Sequence, residues 1–321
     1  MRYVPGWRYE GGTRGYLGGL AADLLSKGLL EGVKRHHPLG PLTTYRVGGS
    51  AALFVRPTDQ EELVRVAEAT ASVEVRLLLV GRGSNMLVSD EGFEGLVVQL
   101  GPGFERIRLS ESGVVAGGAA GMPVVARRSV AEGLTGFEWA VGVPGSIGGA
   151  VRMNAGGHGS DLAAVLGSAW LVDLASGDLS LRALEELDLS YRSSAVTPSQ
   201  VGVETDLSLR PGSAEDGERL LAEIVRWRRE NQPGGQNSGS VFTNPPGDSA
   251  GRLIDLVGAR GLRIGTAGVS DKHANFIQAE RGGLAADVLL VMAEVRRRVA
   301  EDLGVDLTTE TVLVGFDGET E

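Results

Sequence analysis

The chain has 321 residues, more than one compact core usually organises, so two or three subdomains are expected. Its net charge of −10 argues against nucleic acid or an anionic membrane surface as a partner. The absence of cysteine excludes disulfides, thiolate metal sites and a cysteine nucleophile. No apolar run approaches the roughly 18 residues of a membrane span, and the N-terminus lacks an apolar signal-peptide core, which fits a cytoplasmic protein without membrane insertion. Phosphate ligands stay open, because local arginines and backbone amides hold them regardless of net charge.

Residues 1–16 are rich in glycine and aromatics and match no periodic template, so an extension or a poorly ordered arm is expected there. A first helix is expected over about 18–33, completing an N-terminal unit of 1–37. TTYRVGGSAALFVRP (43–57) alternates and breaks at Pro57. Thr58-x-x-Glu61 reads as a capping box opening an amphipathic helix. Residues 77–100 read as strand, glycine loop, strand, turn and strand, and a helix follows Pro123 and stops at Gly133. WLVDLASGDLSL (170–181) reads as a hairpin. Near 210–215 strands give way to a helix ending WRRENQP, which sets a boundary. In the helix of 283–304, Leu284, Val288, Val291, Met292, Val295 and Val299 share one face, and Gly304 is the stop. A strand over 311–316 closes an α+β chain.

Several stretches carry candidate chemistry. GRGSNMLVSD (81–90) is a turn between apolar strands whose amides could cradle a pyrophosphate; a plain tight turn is the alternative. It is not a dinucleotide fingerprint, because Met86 replaces the third glycine and a strand follows. VGVPGSIGGAVRMNAGGHG has seven glycines in 19 residues, so it either turns sharply or lies against a flat ligand. GDSAG (247–251) matches a nucleophile elbow, but Pro245 and Pro246 precede it, and Ser249 reads better as a helix N-cap. The four histidines show no metal-ligand spacing, so no metal is expected. In VSDKHANFIQ (269–278), Lys272, His273 and Asn275 form either a solvated turn or one wall of a pocket for an anionic or sugar ligand.

TTYRVGGSA, GRGSNMLVSDEGF, GFEWAVGVPGSIGGAVRMNAGGHG, LSYRSS, QPGGQNSGSVFTNPPG, VSDKHANF and LTTETVLVG occur in the order seen in UDP-N-acetylenolpyruvoylglucosamine reductases. From about Pro38 to about Phe316 the chain resembles that family. The resemblance implies a two-lobed FAD-binding domain of the vanillyl-alcohol-oxidase type over 38–212, split near 105, and a substrate-binding α+β domain over 213–321. It implies non-covalent FAD, NADPH as co-substrate, and a UDP-sugar enolpyruvate as substrate, with no obligate protein partner. Flavin N5 would deliver hydride to the alkene carbon beta to the carboxylate.

The family's three chemical residues fall on Arg192, Ser240 and Glu310. Arg192 would stabilise the enolate-like charge, Ser240 would donate the proton to the alpha carbon, and Glu310 would act as a protonated acid or an orienter. The implied cofactor contacts are Tyr45, Arg46, Val47, Gly48 and Gly49; Gly81, Arg82, Gly83, Ser84, Asn85 and Met86; Gly118; and Gly142, Val143, Pro144, Gly145, Ser146, Gly148, Gly149, Asn154 and Gly156. The implied substrate contacts are Tyr191, Arg228, Gln232, Asn244, Lys272, His273 and Asn275. The chain departs from many relatives at Thr243, where they carry lysine. None of the five tyrosines lies beyond Tyr191, so the resemblance is to the shorter subtype without a tyrosine lid. Two competing readings are a carbohydrate oxidase of the same flavin superfamily and a non-catalytic flavin- or nucleotide-binding protein. Against the first, no histidine stands in the glycine loop to bond the flavin; against the second, the three chemical residues are all present.

Overall fold

The computed structural model describes residues 14–28 and 32–316; the expected arm lies almost wholly outside the described residues. Helix α1 spans Arg14–Ser26, about four residues earlier than its expected start. Its Leu17, Leu20 and Leu24 are buried against α2 (Gln60–Ala71) and a four-stranded sheet. That sheet runs Lys34–Pro38, Ser50–Val55, Phe93–Val98 and Leu77–Leu79 in spatial order, with the first pair antiparallel and the rest parallel. Parallel strands need both faces covered, and the near-continuous apolar runs Leu53–Val55 and Leu96–Val98 meet that need. The cap of α2 is Asp59 rather than Thr58. The Asp59 carboxylate accepts from Glu62 N at 2.9 Å, and Glu62 reaches back to Thr58 N at 2.6 Å. Asp outranks Thr as a cap, so the N-cap moves by one residue, and the glutamate bonds to the residue before it. Leu63 of α2 is wholly buried, and its loss to alanine would cost about 2–5 kcal/mol.

A second, antiparallel sheet follows, in the order Leu179–Ala183, Leu166–Asp173, Gln200–Ser208, Gly113–Gly117 and Ile107–Ser110. The expected hairpin is its first pair, with Trp170 opposite Leu181. Helices α3 (Met122–Ala131), α4 (Ile147–Met153) and α5 (Ala214–Asn231) complete its core through Val125, Ile147, Leu221 and Ile224. The approach of α4 to the sheet requires glycine. A Cβ on Gly148 would stand 2.8 Å from Gly202 O, closer than side chains pack.

The third unit is a three-stranded antiparallel sheet, Arg263–Ile264, Ala267–Val269 and Ile277–Ala279, packed on α7 (Ala285–Leu303) and α6 (Ala250–Leu256). The apolar face of α7 is Ala285, Val288, Val291, Met292, Val295 and Val299. Leu284 does not belong to it: it is the N-cap residue and half exposed. Gly304 ends α7 in the left-handed conformation, φ +67°. Ser249 caps α6, accepting from Arg252 N at 3.3 Å, and no strand runs into it, so the elbow reading fails. The chain then returns to the first unit. Val312–Val314 pairs in parallel with Met86–Val88, register Val312 to Met86. Asp90, in the same region as that strand, accepts from Ala285 N and Ala286 N at 2.9 Å each and so caps α7 from across the fold.

Candidate active site

One cavity of about 3260 Å³ runs between the two sheets and the third unit. Its wall includes the loop Gly81–Met86, the glycine-rich stretch Gly142–Gly149, and the segment Thr197–Gly202. These are the places where sheet ends and tight turns bring bare backbone to a surface. Gly83 shows why the loop is built this way. Its φ is +55°, and Thr44 N bonds to its carbonyl at 3.1 Å, pinning a left-handed turn that a side chain would strain.

Arg192, Ser240 and Glu310 all line this cavity. Arg192 Nε stands 2.7 Å from Glu310 Oε1, and Arg192 Nη2 donates to Gly156 O at 3.0 Å. The guanidinium also sits 5.2 Å from the centre of the Tyr191 ring. Arg192 has φ +58°, a conformation costing a non-glycine residue about 1–3 kcal/mol and maintained only where its surroundings over-determine it. Two hydrogen bonds and a cation–π contact supply that constraint. Glu310 follows an isolated bridge between Phe242 and Thr309, and its N–H donates to Val241 O at 2.8 Å. Ser240 directly precedes Val241, so the serine and the glutamate sit on adjacent backbones. Burial raises the Glu310 pKa above the usual carboxyl range; Arg192 opposes the shift without cancelling it.

Farther along the wall stand Arg228, Gln232, Asn244, His273 and Tyr191. Arg228 Nε donates to Gln232 Oε1 at 2.7 Å, fixing the guanidinium across one turn at the end of α5. Burial lowers the pKa of Arg228 and of His158, whose ring meets Trp227 edge-on at 5.1 Å. Asn244 Oδ1 accepts from Ala250 N at 3.0 Å. Gly118 and Gly156 also line the cavity.

Other expected contacts lie off the wall. Tyr45 and Val47 are buried in the core behind it, and Arg46, Gly48 and Gly49 do not reach the cavity. Asn154 is buried, donating to Asp161 Oδ2 and Ser190 O and accepting from Ala163 N. Lys272 Nζ donates to Arg229 O. Asn275 is buried and clamps the backbone of Phe242 from both ends, at 3.0 and 2.8 Å. Asn154, Lys272 and Asn275 are polar side chains satisfied by other groups of the protein, which sequence alone does not separate from ones aimed at a ligand. Arg152, His158 and Trp227 line the cavity and were not singled out, although all three stood inside stretches that were. Among the described residues no group of three or more His, Asp or Glu could hold a metal.

The wall suits a flat dinucleotide. Arg82 and Arg152 place cations on it, and a Cβ on Gly81 would stand 2.5 Å from Ser146 Oγ, so bare backbone fits there without displacing the serine. Residues 51–180 match the family model described as FAD binding domain, and 231–314 match that of UDP-N-acetylenolpyruvoylglucosamine reductase, C-terminal domain. The UDP-N-acetylenolpyruvoylglucosamine reductase of Paramagnetospirillum magneticum is 43% identical over 280 residues, 87% of this chain and 91% of the relative. That of Rubrobacter xylanophilus is 38% identical over 289 residues, 89% of this chain and 97% of the relative. The crystal structure of UDP-N-acetylenolpyruvylglucosamine reductase (MurB) from Thermus caldophilus superposes with a TM-score of 0.77 at 34% identity, covering 88% of this chain and 98% of that one. By sequence across most of its length and by fold, the chain belongs to the UDP-N-acetylenolpyruvoylglucosamine reductase family.

Proposed function

We propose that the chain reduces UDP-N-acetylglucosamine enolpyruvate to UDP-N-acetylmuramate, a step of peptidoglycan precursor synthesis, with FAD bound in the cavity and NADPH as reductant. The observation that supports it most is the Arg192–Glu310 contact at 2.7 Å on the wall that also carries Ser240. When bound, FAD supplies the hydride, taken from NADPH and given to the alkene carbon beta to the carboxylate. Arg192 holds the substrate carboxylate and the negative charge that builds on it; its constrained backbone leaves little reorganisation to make as charge appears. Glu310, whose burial favours the neutral form, donates a hydrogen bond toward the same charge when its carboxyl carries the proton, a role an ionised carboxylate could not fill. Ser240 Oγ delivers the proton to the alpha carbon. Arg228 and Gln232, locked together, bind the diphosphate or sugar of the substrate, with His273 and Asn244 on the same cavity wall. The proposed setting is the cytoplasm, with no obligate protein partner.

The test is anaerobic. The purified protein should be yellow, and acid precipitation should leave the flavin in the supernatant, because the loop Gly81–Met86 offers no histidine to bond it. NADPH should bleach the flavin, and the enolpyruvyl UDP-sugar should restore the colour. A bleached flavin that stays bleached with this substrate would refute the proposal.

A further inference from the structure

Asn85 belongs to the cavity loop, and its side chain points across the fold. Its Nδ2 donates to Glu310 O at 3.0 Å, bridging 225 positions of sequence. Its own carbonyl accepts from Val312 N at 2.9 Å, the first rung of the parallel pairing between Met86–Val88 and Val312–Val314. The backbone is therefore held on both sides of Glu310. Val241, next to Ser240, holds the N–H at 2.8 Å, and Asn85, next to Ser84 of the cofactor loop, holds the carbonyl. Beyond the backbone, the Glu310 carboxylate meets Arg192.

The two bonds made by Asn85 do different work. The backbone bond to Val312 is a strand rung, and any residue at 85 would make it. The side-chain bond reaches two residues farther back, to the one residue of that segment whose carboxyl faces the cavity. Removing the side chain leaves the rung and frees the carbonyl. A freed carbonyl leaves its peptide only the longer bond from Thr311 N to Val241 O at 3.3 Å, so the backbone that carries the Glu310 side chain is less tightly fixed.

We infer that Asn85 is a positioning residue for Glu310, tying the placement of its carboxyl to the cofactor loop. The inference rests on the reading of Glu310 as acting in the substrate half-reaction. The loop that carries Asn85 lines the FAD end of the cavity, so the setting it adopts around bound cofactor is transmitted by one hydrogen bond to the carboxyl that faces substrate. Asn85 acts through Glu310 and needs no contact of its own with the reacting atoms.

The experiment uses the FAD-loaded protein in anaerobic stopped flow, comparing Asn85→Ala, Glu310→Gln and the double variant. Measured at saturating FAD, Asn85→Ala should slow reoxidation by the enolpyruvyl UDP-sugar on the order of 10²-fold, as expected for a misplaced catalytic group, and slow bleaching by NADPH far less. In the Glu310→Gln background the same change should add little, because both substitutions remove one function. Equal slowing of both half-reactions, or full additivity with Glu310→Gln, would overturn the inference: Asn85 would then act on the flavin. If Glu310→Gln is slow and Asn85→Ala is normal, only the positioning role fails. If Glu310→Gln reoxidises normally, the role of Glu310 itself fails. Should Asn85→Ala lose FAD, Asn85→Ser, whose hydroxyl is too short to reach the carbonyl, is measured at saturating FAD against the same outcomes.

Discussion

Arg192 Nε and Glu310 Oε1, 118 residues apart in the chain, meet at 2.7 Å on the cavity wall. The pair is unusual in its balance. Desolvation drives Glu310 toward its neutral form, and the adjacent guanidinium drives it back, with desolvation the larger effect. Desolvation thus favours the neutral carboxyl, which can donate a hydrogen bond as well as accept one.

The sign of the resulting pH dependence is fixed by that direction. The folded protein keeps the Glu310 proton to higher pH than the unfolded chain does, so between the two pKa values the native state binds more protons. Stability thus falls as pH rises through that window, and it is unaffected below the ordinary carboxyl pKa. Reoxidation by substrate should fall later, as pH rises through the folded-state pKa at the upper end of that window, where the donor is lost. Glu310→Gln should remove that limb of the pH–rate profile. A profile with the limb unchanged in Glu310→Gln would assign it to another group.

Ser240→Ala separates proton delivery from hydride uptake. Its flavin should still be bleached by NADPH at near the normal rate. Reoxidation by the enolpyruvyl substrate should slow by about 10²–10⁴-fold, the usual contribution of a lost general acid. Equal failure of the two half-reactions would make the serine a structural or binding residue.

What was legible in the sequence was the chemistry carried by short runs. The glycine loop at 81–86 and Arg192, Ser240 and Glu310 each sit in a motif a few residues long, and they share one cavity. Relations across the fold were not legible. Nothing near Asp90 announces that it caps a helix 195 residues later, and nothing near Asn85 points to Glu310. Lys272 and Asn275 stand off the cavity wall for a related reason. Their types allow a ligand contact, but their side chains bond to the backbone of Arg229 and Phe242. Local competition also moved the cap of α2 from Thr58 to Asp59.

The Asp90 cap should be measurable as stability. The two amides it accepts are among the orphan donors of α7, and Leu284 at the cap position has no side chain able to serve them. Asp90→Ala should cost about 0.5–2 kcal/mol, the range for a lost N-cap. Asp90→Asn keeps one acceptor and should cost less. Thermal melts of the FAD-loaded proteins read the difference; equal midpoints for wild type and Asp90→Ala would show that solvent satisfies the helix end as well as the carboxylate does.

The substrate mouth should be pre-formed. Between Arg192 and Ser240 the chain is occupied by the strand Gln200–Ser208, the short strand Arg210–Pro211 and α5, so few residues are left for a lid. The last tyrosine, Tyr191, is tethered through its ring to the guanidinium of Arg192, which Glu310 and Gly156 hold in turn. Arg228 is likewise fixed by Gln232 before any ligand arrives. A site whose polar groups are already locked has little ordering cost to meet on binding, and its backbone should shift by about 1 Å or less. Crystals with and without the UDP-sugar, or hydrogen exchange over 193–239, check this. New protection should be confined to the residues around Arg228 and Gln232, where bound ligand excludes water. A segment within 193–239 that travels many ångströms to cover the ligand would place the chain in the lid-bearing subtype instead.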